Sequence, residues 1–324
     1  MKRLFAILAV WAGIMLVAAP SFAQSSLPEP SRNAGNNAER WKSVRQGVQG
    51  YVSIPDKKAG VLVQSEGENW RNWRNGPVST YGSWALLGMV VLLALFFAIR
   101  GRIRIESGAS GHLIVRFHAF ERFVHWLTAI SFIVLAITGL VILYGRYVLL
   151  PIMPPGAFSA LAMGSKAVHN YISIAFMIGV VLTFIIWIRW NLPARIDLEW
   201  LAKGGGLFSK HSHPPAWKFN AGQKVIFWSV VLGGLALSLT GIALLFPFQW
   251  TDLQGMQLAQ LVHAVIALIM IAVIIAHIYI GTMGMEGAFD AMGTGRVDEN
   301  WAREHHSVWY AEMKGQPKAK YGHD

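Results

Sequence analysis

The stretch Leu258–Ile280, LAQLVHAVIALIMIAVIIAHIYI, decides the architecture. Its 23 residues contain no Asp, Glu, Lys or Arg. At 1.5 Å per residue such a run crosses the ~30 Å hydrocarbon layer of a bilayer. Four further apolar runs precede it, at about Trp84–Ile99, Phe123–Leu143, Val168–Ile188 and Val225–Phe246. Lipid offers a backbone no partner, so each is read as a helix. A barrel would need ~10-residue alternating strands, and these runs do not alternate. Scattered Gly and Ser suit close helix packing in lipid.

Composition agrees. Of 324 residues, 54% are hydrophobic and 14% charged, and there is no cysteine. A soluble fold, a disulfide scaffold and any thiolate-held metal, iron–sulfur clusters included, are thereby excluded. The net charge of +11 does not call for nucleic acid, because basic residues in a membrane protein collect in cytoplasmic loops. Upstream, Lys2 and Arg3 precede an apolar run from Leu4 to Ala19 and then Ser21-Phe22-Ala23. That order predicts a signal peptide over 1–23. Residues 24–80 read as a polar extracytoplasmic segment, in which Trp70 and Trp73 beside Arg71 and Arg74 suit a membrane interface or a docking surface. The fold class is therefore an all-α membrane bundle of five transmembrane helices following a cleavable signal.

Charge orients the bundle. Arg100, Arg102, Arg104, Arg116 and Arg122 lie between the first two spans. Arg189, Arg195, Lys203, Lys210, Lys218 and Lys224 lie between the third and fourth, and the tail adds Arg296, Arg303, Lys314, Lys318 and Lys320. The alternate connections are nearly free of cations. Positive-inside logic predicts a periplasmic mature N-terminus and a cytoplasmic tail in a bacterial inner membrane.

Four histidines, His125, His169, His263 and His277, fall within or at the ends of spans, where ionisable groups are costly and each needs a partner. Topology sorts them by depth: His125 and His277 toward the cytoplasmic face, His169 and His263 toward the outer face. His263 and His277 are fourteen residues apart, about 21 Å and nearly four turns, so they share one helix face. Two flat cofactors, one per leaflet, need that arrangement. Neutral imidazole suits haem iron, and without cysteine the haems are non-covalent, two of b type. Paired imidazoles fill both axial sites and leave electron transfer as the chemistry. Gly139 makes room for a porphyrin or for helix packing, and Arg122 and Arg189 are candidates for the propionates. The string Lys218-Phe219-Asn220-Ala221-Gly222-Gln223-Lys224, level with His125 and His277, offers donors for a quinone carbonyl through Asn220, Gly222 and Gln223. His112, His118, His211, His213, His305 and His306 are expected on solvated or partner-facing surface.

The chain resembles the gamma subunits of respiratory formate dehydrogenases, which are membrane b-type cytochromes. The resemblance rests on Glu121-Arg122-Phe123-Val124-His125-Trp126, Val168-His169-Asn170-Tyr171, Phe219-Asn220-Ala221-Gly222-Gln223-Lys224 with Phe227-Trp228, Val262-His263-Ala264, His277-Ile278-Tyr279, and Trp301-Ala302-Arg303-Glu304-His305-His306 with Trp309-Tyr310. It spans about Arg116 to Tyr310. It implies a four-helix dihaem domain over 116–290 with a cytoplasmic tail at 291–324, an inner haem between His125 and His277, and an outer haem between His169 and His263. It further implies quinone contact through Asn220, Gly222 and His277. Implied partners are an iron–sulfur beta subunit and a molybdenum or tungsten alpha subunit that oxidises formate. The helix expected at 81–100 departs from the family's four-span members. A cytochrome subunit of nickel–iron hydrogenase or thiosulfate reductase is the nearer alternative. A histidine-dependent transporter is more distant, since no span carries an interior carboxylate.

Overall fold

The structure is a computed structural model and describes residues 67–209 and 211–315. The expected signal peptide and most of the polar segment after it lie outside the described residues. Among the described residues five helices are long and apolar enough to cross a membrane: α1 (Gly67–Arg100), α2 (Ala119–Val148), α3 (Pro155–Trp190), α5 (Ala221–Leu245) and α6 (Leu253–Gly284). A short helix, α4 (Arg195–Ala202), lies between α3 and α5. Two more, α7 (Glu299–His305) and α8 (Ser307–Met313), close the described tail. Strands β1 (Leu113–Val115) and β2 (Arg296–Asp298) pair antiparallel, with Ile114 opposite Val297.

All five spans extend beyond their apolar cores. α1 takes Trp70 and Trp73 into its first turns, and α3 starts at Pro155, whose fixed φ and missing N–H suit a first helical position. Side chains set the other starts. Asn220 Oδ1 accepts the Gln223 N–H at 2.9 Å while Gln223 Oε1 accepts the Asn220 N–H at 3.1 Å, a reciprocal cap on α5. Asp252 caps α6 by accepting the Gly255 N–H at 2.9 Å.

α2 lies against α3, and α6 packs between α1 and α5. The added helix α1 seats closely: a Cβ on Gly82 would collide with Leu268 of α6. Tyr144 Oη of α2 donates to the Ser79 carbonyl of α1 at 2.8 Å, satisfying a buried hydroxyl. Leu86, Phe132, Phe176, Leu237 and Leu268 fill one core within the bundle. Leu92, Leu95, Ile130, Val181, Ile185 and Ile269 stay exposed on its outside, as lipid-facing residues should.

One end of the bundle wears a collar built from residues 101–118, the segment before α5, and the tail after α6. There Phe117, Trp187, Phe219, Trp301 and Trp309 form a second core. Ion pairs lace it: Lys218 to Glu121 and Lys224 to Asp197, both 2.8 Å and largely buried. Among the described residues, the opposite end, termed the bare end, has the start of α1 and the turns at 149–154 and 246–252. His306 corrects a sequence expectation. It is 1% exposed, with Nδ1 at 2.7 Å from the Trp217 carbonyl and Nε2 at 3.0 Å from Arg116 Nη2. Arg116 lies over the rings of Phe117, Trp301 and Trp309 at 4.9–5.3 Å, and this aromatic cage draws the pair out of solvent.

Candidate functional site

The four intramembrane histidines meet two by two. His125 of α2 and His277 of α6 face each other with ring centres 6.3 Å apart and planes 60° apart. His169 of α3 and His263 of α6 do the same at 6.3 Å and 65°. His125 is the seventh residue of α2 and His277 lies seven residues before the end of α6, so the first pair sits about 10 Å inside the collared end. The second pair lies toward the bare end.

This spacing tests for a shared metal. A metal–nitrogen bond of ~2 Å to each imidazole, plus roughly 1.1 Å from nitrogen to ring centre, sets trans ligands about 6.2 Å apart. Both pairs fit. Direct imidazole stacking or a hydrogen bond between the rings would not require the same separation twice.

Two threonines fix the bare-end pair. Thr138 Oγ1 donates to the Val134 carbonyl at 2.8 Å and lies 2.9 Å from His169 Nδ1. Thr240 Oγ1 donates to the Ala236 carbonyl at 2.7 Å and lies 2.9 Å from His263 Nδ1. Each hydroxyl hydrogen is spent on its own helix. The histidine Nδ1–H therefore donates to the threonine oxygen, which leaves Nε2 with its lone pair for a metal. A glycine follows each threonine, and a Cβ on Gly139 or Gly241 would stand 3.4–3.5 Å from the ring of His169 or His263. The repeated Thr-Gly, at 138–139 and 240–241, is the one signal that sequence reasoning had available for this arrangement and did not use. At the collared end, Trp126 holds His125 edge-on at 5.2 Å and donates its indole N–H to the Met292 carbonyl at 2.9 Å. His125 Nδ1 is buried with no hydrogen-bond partner among the described residues, so that ring has a nitrogen to spare.

Each pair opens on a cavity. The bare-end cavity, about 200 Å³, is lined by His169, His263, Gly139, Gly241 and two cations, Arg74 and Lys166. The collared-end cavity is about 1100 Å³ and brings His125 and His277 together with Asn220, Gly222 and Gln223. Because the side-chain oxygens of Asn220 and Gln223 are occupied by the cap, their NH2 groups are what remain for an acceptor. Trp200 of α4 also lines this cavity. A Cβ on Gly222 would come within 3.0 Å of its indole, so the glycine is needed for that approach.

Of the two candidate propionate cations, Arg122 donates through Nε to the Met292 carbonyl at 3.2 Å and through Nη2 to the Gly293 carbonyl. Arg189 is exposed and lies 4.7 Å over the Trp190 ring.

Comparison with known proteins points the same way. Residues 116–295 match the family model described as prokaryotic cytochrome b561. The nitrate-inducible formate dehydrogenase cytochrome b556(Fdn) subunit of Escherichia coli (strain K12) is 29% identical over 210 residues, 64% of this chain and 94% of that protein. The cytochrome b556(fdo) subunit from the same strain is 27% identical over 210 residues, covering 64% and 96%. The cytochrome b556 subunit from Haemophilus influenzae is 25% identical over 207 residues, covering 61% and 83%.

Proposed function

Because the chain belongs to the prokaryotic cytochrome b561 family, we propose that it is the membrane cytochrome b subunit of a formate dehydrogenase complex. In this reading it anchors the complex and connects a periplasmic iron–sulfur subunit, fed by a molybdenum or tungsten formate-oxidising subunit, to quinone. His125 with His277, and His169 with His263, would hold one b haem each. Bound there, the haems supply one-electron transfer between the two faces of the membrane, the redox chemistry being theirs and its placement the protein's.

The residues serve that task in distinct ways. The four imidazoles would hold the two haems, one between each pair, and confine them to electron transfer. Thr138 and Thr240 fix the tautomer and orientation of the bare-end ligands. Arg74 and Lys166 line the cavity at that end and would be the cations available to propionates; at the other end Arg100, Arg102 and Arg104 line the cavity, whereas Arg122 and Arg189 do not. Asn220, Gln223 and the backbone at Gly222 would receive a quinone beside His277, in the cavity at the collared end. That end is taken as cytoplasmic, since it gathers most of the bundle's basic residues. The N-terminal side of α1 is then periplasmic.

The observation that carries the proposal is the pair of 6.3 Å imidazole separations, both anchored on α6. Pyridine haemochrome assay of the purified protein tests it. Two haems b per chain are expected, one remaining in His125→Ala or His277→Ala and one in His169→Ala or His263→Ala. A protein with no b-type band in its reduced-minus-oxidised spectrum would end the reading. Co-purification with a nickel enzyme in place of a molybdenum or tungsten one would assign the cytochrome to hydrogenase.

A further inference from the structure

The collared-end cavity reaches beyond the proposed quinone contacts to a chain of titratable side chains that the cytochrome reading leaves unused. His211 Nδ1 lies 2.6 Å from Glu106 Oε1, and His213 Nε2 lies 2.6 Å from Glu106 Oε2. The ring of His213 is 6.2 Å from that of His305. The Nε2 of His305 is buried without a hydrogen-bond partner among the described residues. All four residues line the same cavity as His277 and Asn220.

Exposure falls steadily along this chain. The side chains of His211, Glu106 and His213 are 81%, 42% and 29% exposed, and His305 sits deeper, among Trp301 and the collar core. A mere latch between the two loops would need one bond and no gradient. Here one carboxylate bridges two imidazoles, one facing water and the other facing the interior. We infer that Glu106, His211 and His213, continued by His305, form the proton inlet of the quinone cavity. The inference rests on the quinone reading above.

The chemistry balances. Converting a quinone to a quinol takes up two electrons and two protons. The electrons come by way of the cytochrome, and the protons come from water at His211, passing one at a time across Glu106 to His213 and inward. Hydrogen bonds from His213 and then His211 hold the Glu106 carboxyl below its ordinary range, so it stays an acceptor between two rings. Burial holds His305 down at about 4, so it carries a proton only in passing. Other charges face the chain. Arg102 and Arg104 line the cavity, Arg303 donates to Ser107 at 3.5 Å, and Arg116 opposes protonation of His305. Glu304 accepts the backbone N–H groups of Glu106 and Ser107, both at 2.9 Å, and its charge favours a proton on His305, against Arg116. At His305 burial outweighs Glu304, so a proton that arrives there is passed on inward.

The test uses the full-length protein in its complex, in lipid nanodiscs, with menadione as the quinone. Reoxidation of the prereduced b-type band is followed together with a pH-indicator dye, in wild type, Glu106→Gln and the double variant His211→Ala/His213→Ala. Both variants should keep wild-type haem spectra. At pH 8 they should reoxidise roughly tenfold slower or more, with proton uptake slowed equally, less deficit at pH 6, and recovery on adding a small weak acid such as azide. Infrared titration of the full chain should show a carboxylate band, ionising below the ordinary range, that is lost in Glu106→Gln. Wild-type rates from pH 6 to 8 in both variants would overturn the inlet, as would a deficit that weak acid does not relieve. If wild type itself shows b haem that menadione cannot reoxidise, the quinone reading has failed and the inlet falls with it.

Discussion

The ring of His169 has two nitrogens, and Thr138 decides what each does. By giving its hydrogen to Val134 and accepting from Nδ1, it pushes electron density toward Nε2 and would make the histidine a stronger donor to the ferric ion of the haem proposed there. Thr240 does the same for His263. Removing these acceptors should favour the ferrous state. In Thr138→Val and Thr240→Val the potential of the bare-end haem should rise by about 40 mV, one net hydrogen bond of ~1 kcal/mol converted at 59 mV per tenfold. The other haem should hold its value in a spectroelectrochemical titration. Away from the membrane, His306 and His305 give the collar a pH limit. Burial lowers both, His306 well below its ordinary value and His305 to about 4. Depressed histidines stabilise the fold fully above about pH 6.5, and that stability drains away as pH falls toward the folded value. Amide exchange over residues 299–313 should therefore quicken between pH 6.5 and 4. His306→Asn should flatten that dependence, and a collar equally protected at both pH values would contradict it. The histidines within the spans were legible in the sequence because an imidazole is conspicuous in an apolar run. Their threonines were not. A threonine bonded to the carbonyl four residues back is ordinary in such helices, and Thr128 bonds Val124 in the same way, so residue type alone carries no signal. Glu106 and His211 are 105 positions apart, a separation that no local pattern reveals, and His306 was misread for the same reason.

At the scale of elements, the start of α5 carries two duties at once. Asn220 caps the helix with its oxygen while its NH2 faces the requirements of the cavity it lines. Truncation to alanine would mix the two effects, adding about 1 kcal/mol of lost capping to any loss of ligand binding. Asn220→Ser separates them, since serine is a comparable cap without an amide donor. We expect this variant to keep both haem spectra and a stability within ~0.5 kcal/mol of wild type, yet to reoxidise more slowly with menadione. An unchanged rate would remove Asn220 from the quinone contacts. Span existence was legible from apolar runs alone, whereas span ends were not. α1 is already helical at Gly67, the first described residue, and α3 begins at Pro155, where the fixed φ of proline opens a helix well ahead of its greasy centre. α1 contributes no histidine, so its role in the element hierarchy is to cover α6, the helix that carries one histidine of each pair.

Across the whole molecule, the two ends differ in charge and in construction together. The collar gathers Arg100, Arg102, Arg104, Arg116, Arg122, Arg189, Arg195, Lys203, Lys218, Lys224, Arg296, Arg303 and Lys314, against Arg71, Arg74, Arg146 and Lys166 toward the bare end. Such an imbalance orients a bundle during insertion, and the direction has an energetic consequence. If electrons enter at the bare end from outside and quinone is reduced at the collar with protons from within, each electron moves one charge across the membrane. That transfer is worth about 2.3 kcal/mol per 100 mV of potential. The same bundle inserted the other way would dissipate the gradient. The absence of cysteine makes the orientation directly measurable, because any introduced thiol is unique. Ala109→Cys sits exposed in the collar and Ala157→Cys exposed at the bare end, and neither touches a histidine pair. With a membrane-impermeant maleimide on intact spheroplasts, Cys at 157 should label at once, and Cys at 109 only after lysis. The reverse pattern would put the proton inlet on the periplasmic side, and quinone reduction there would consume protons from the compartment that a coupling enzyme must keep acidic.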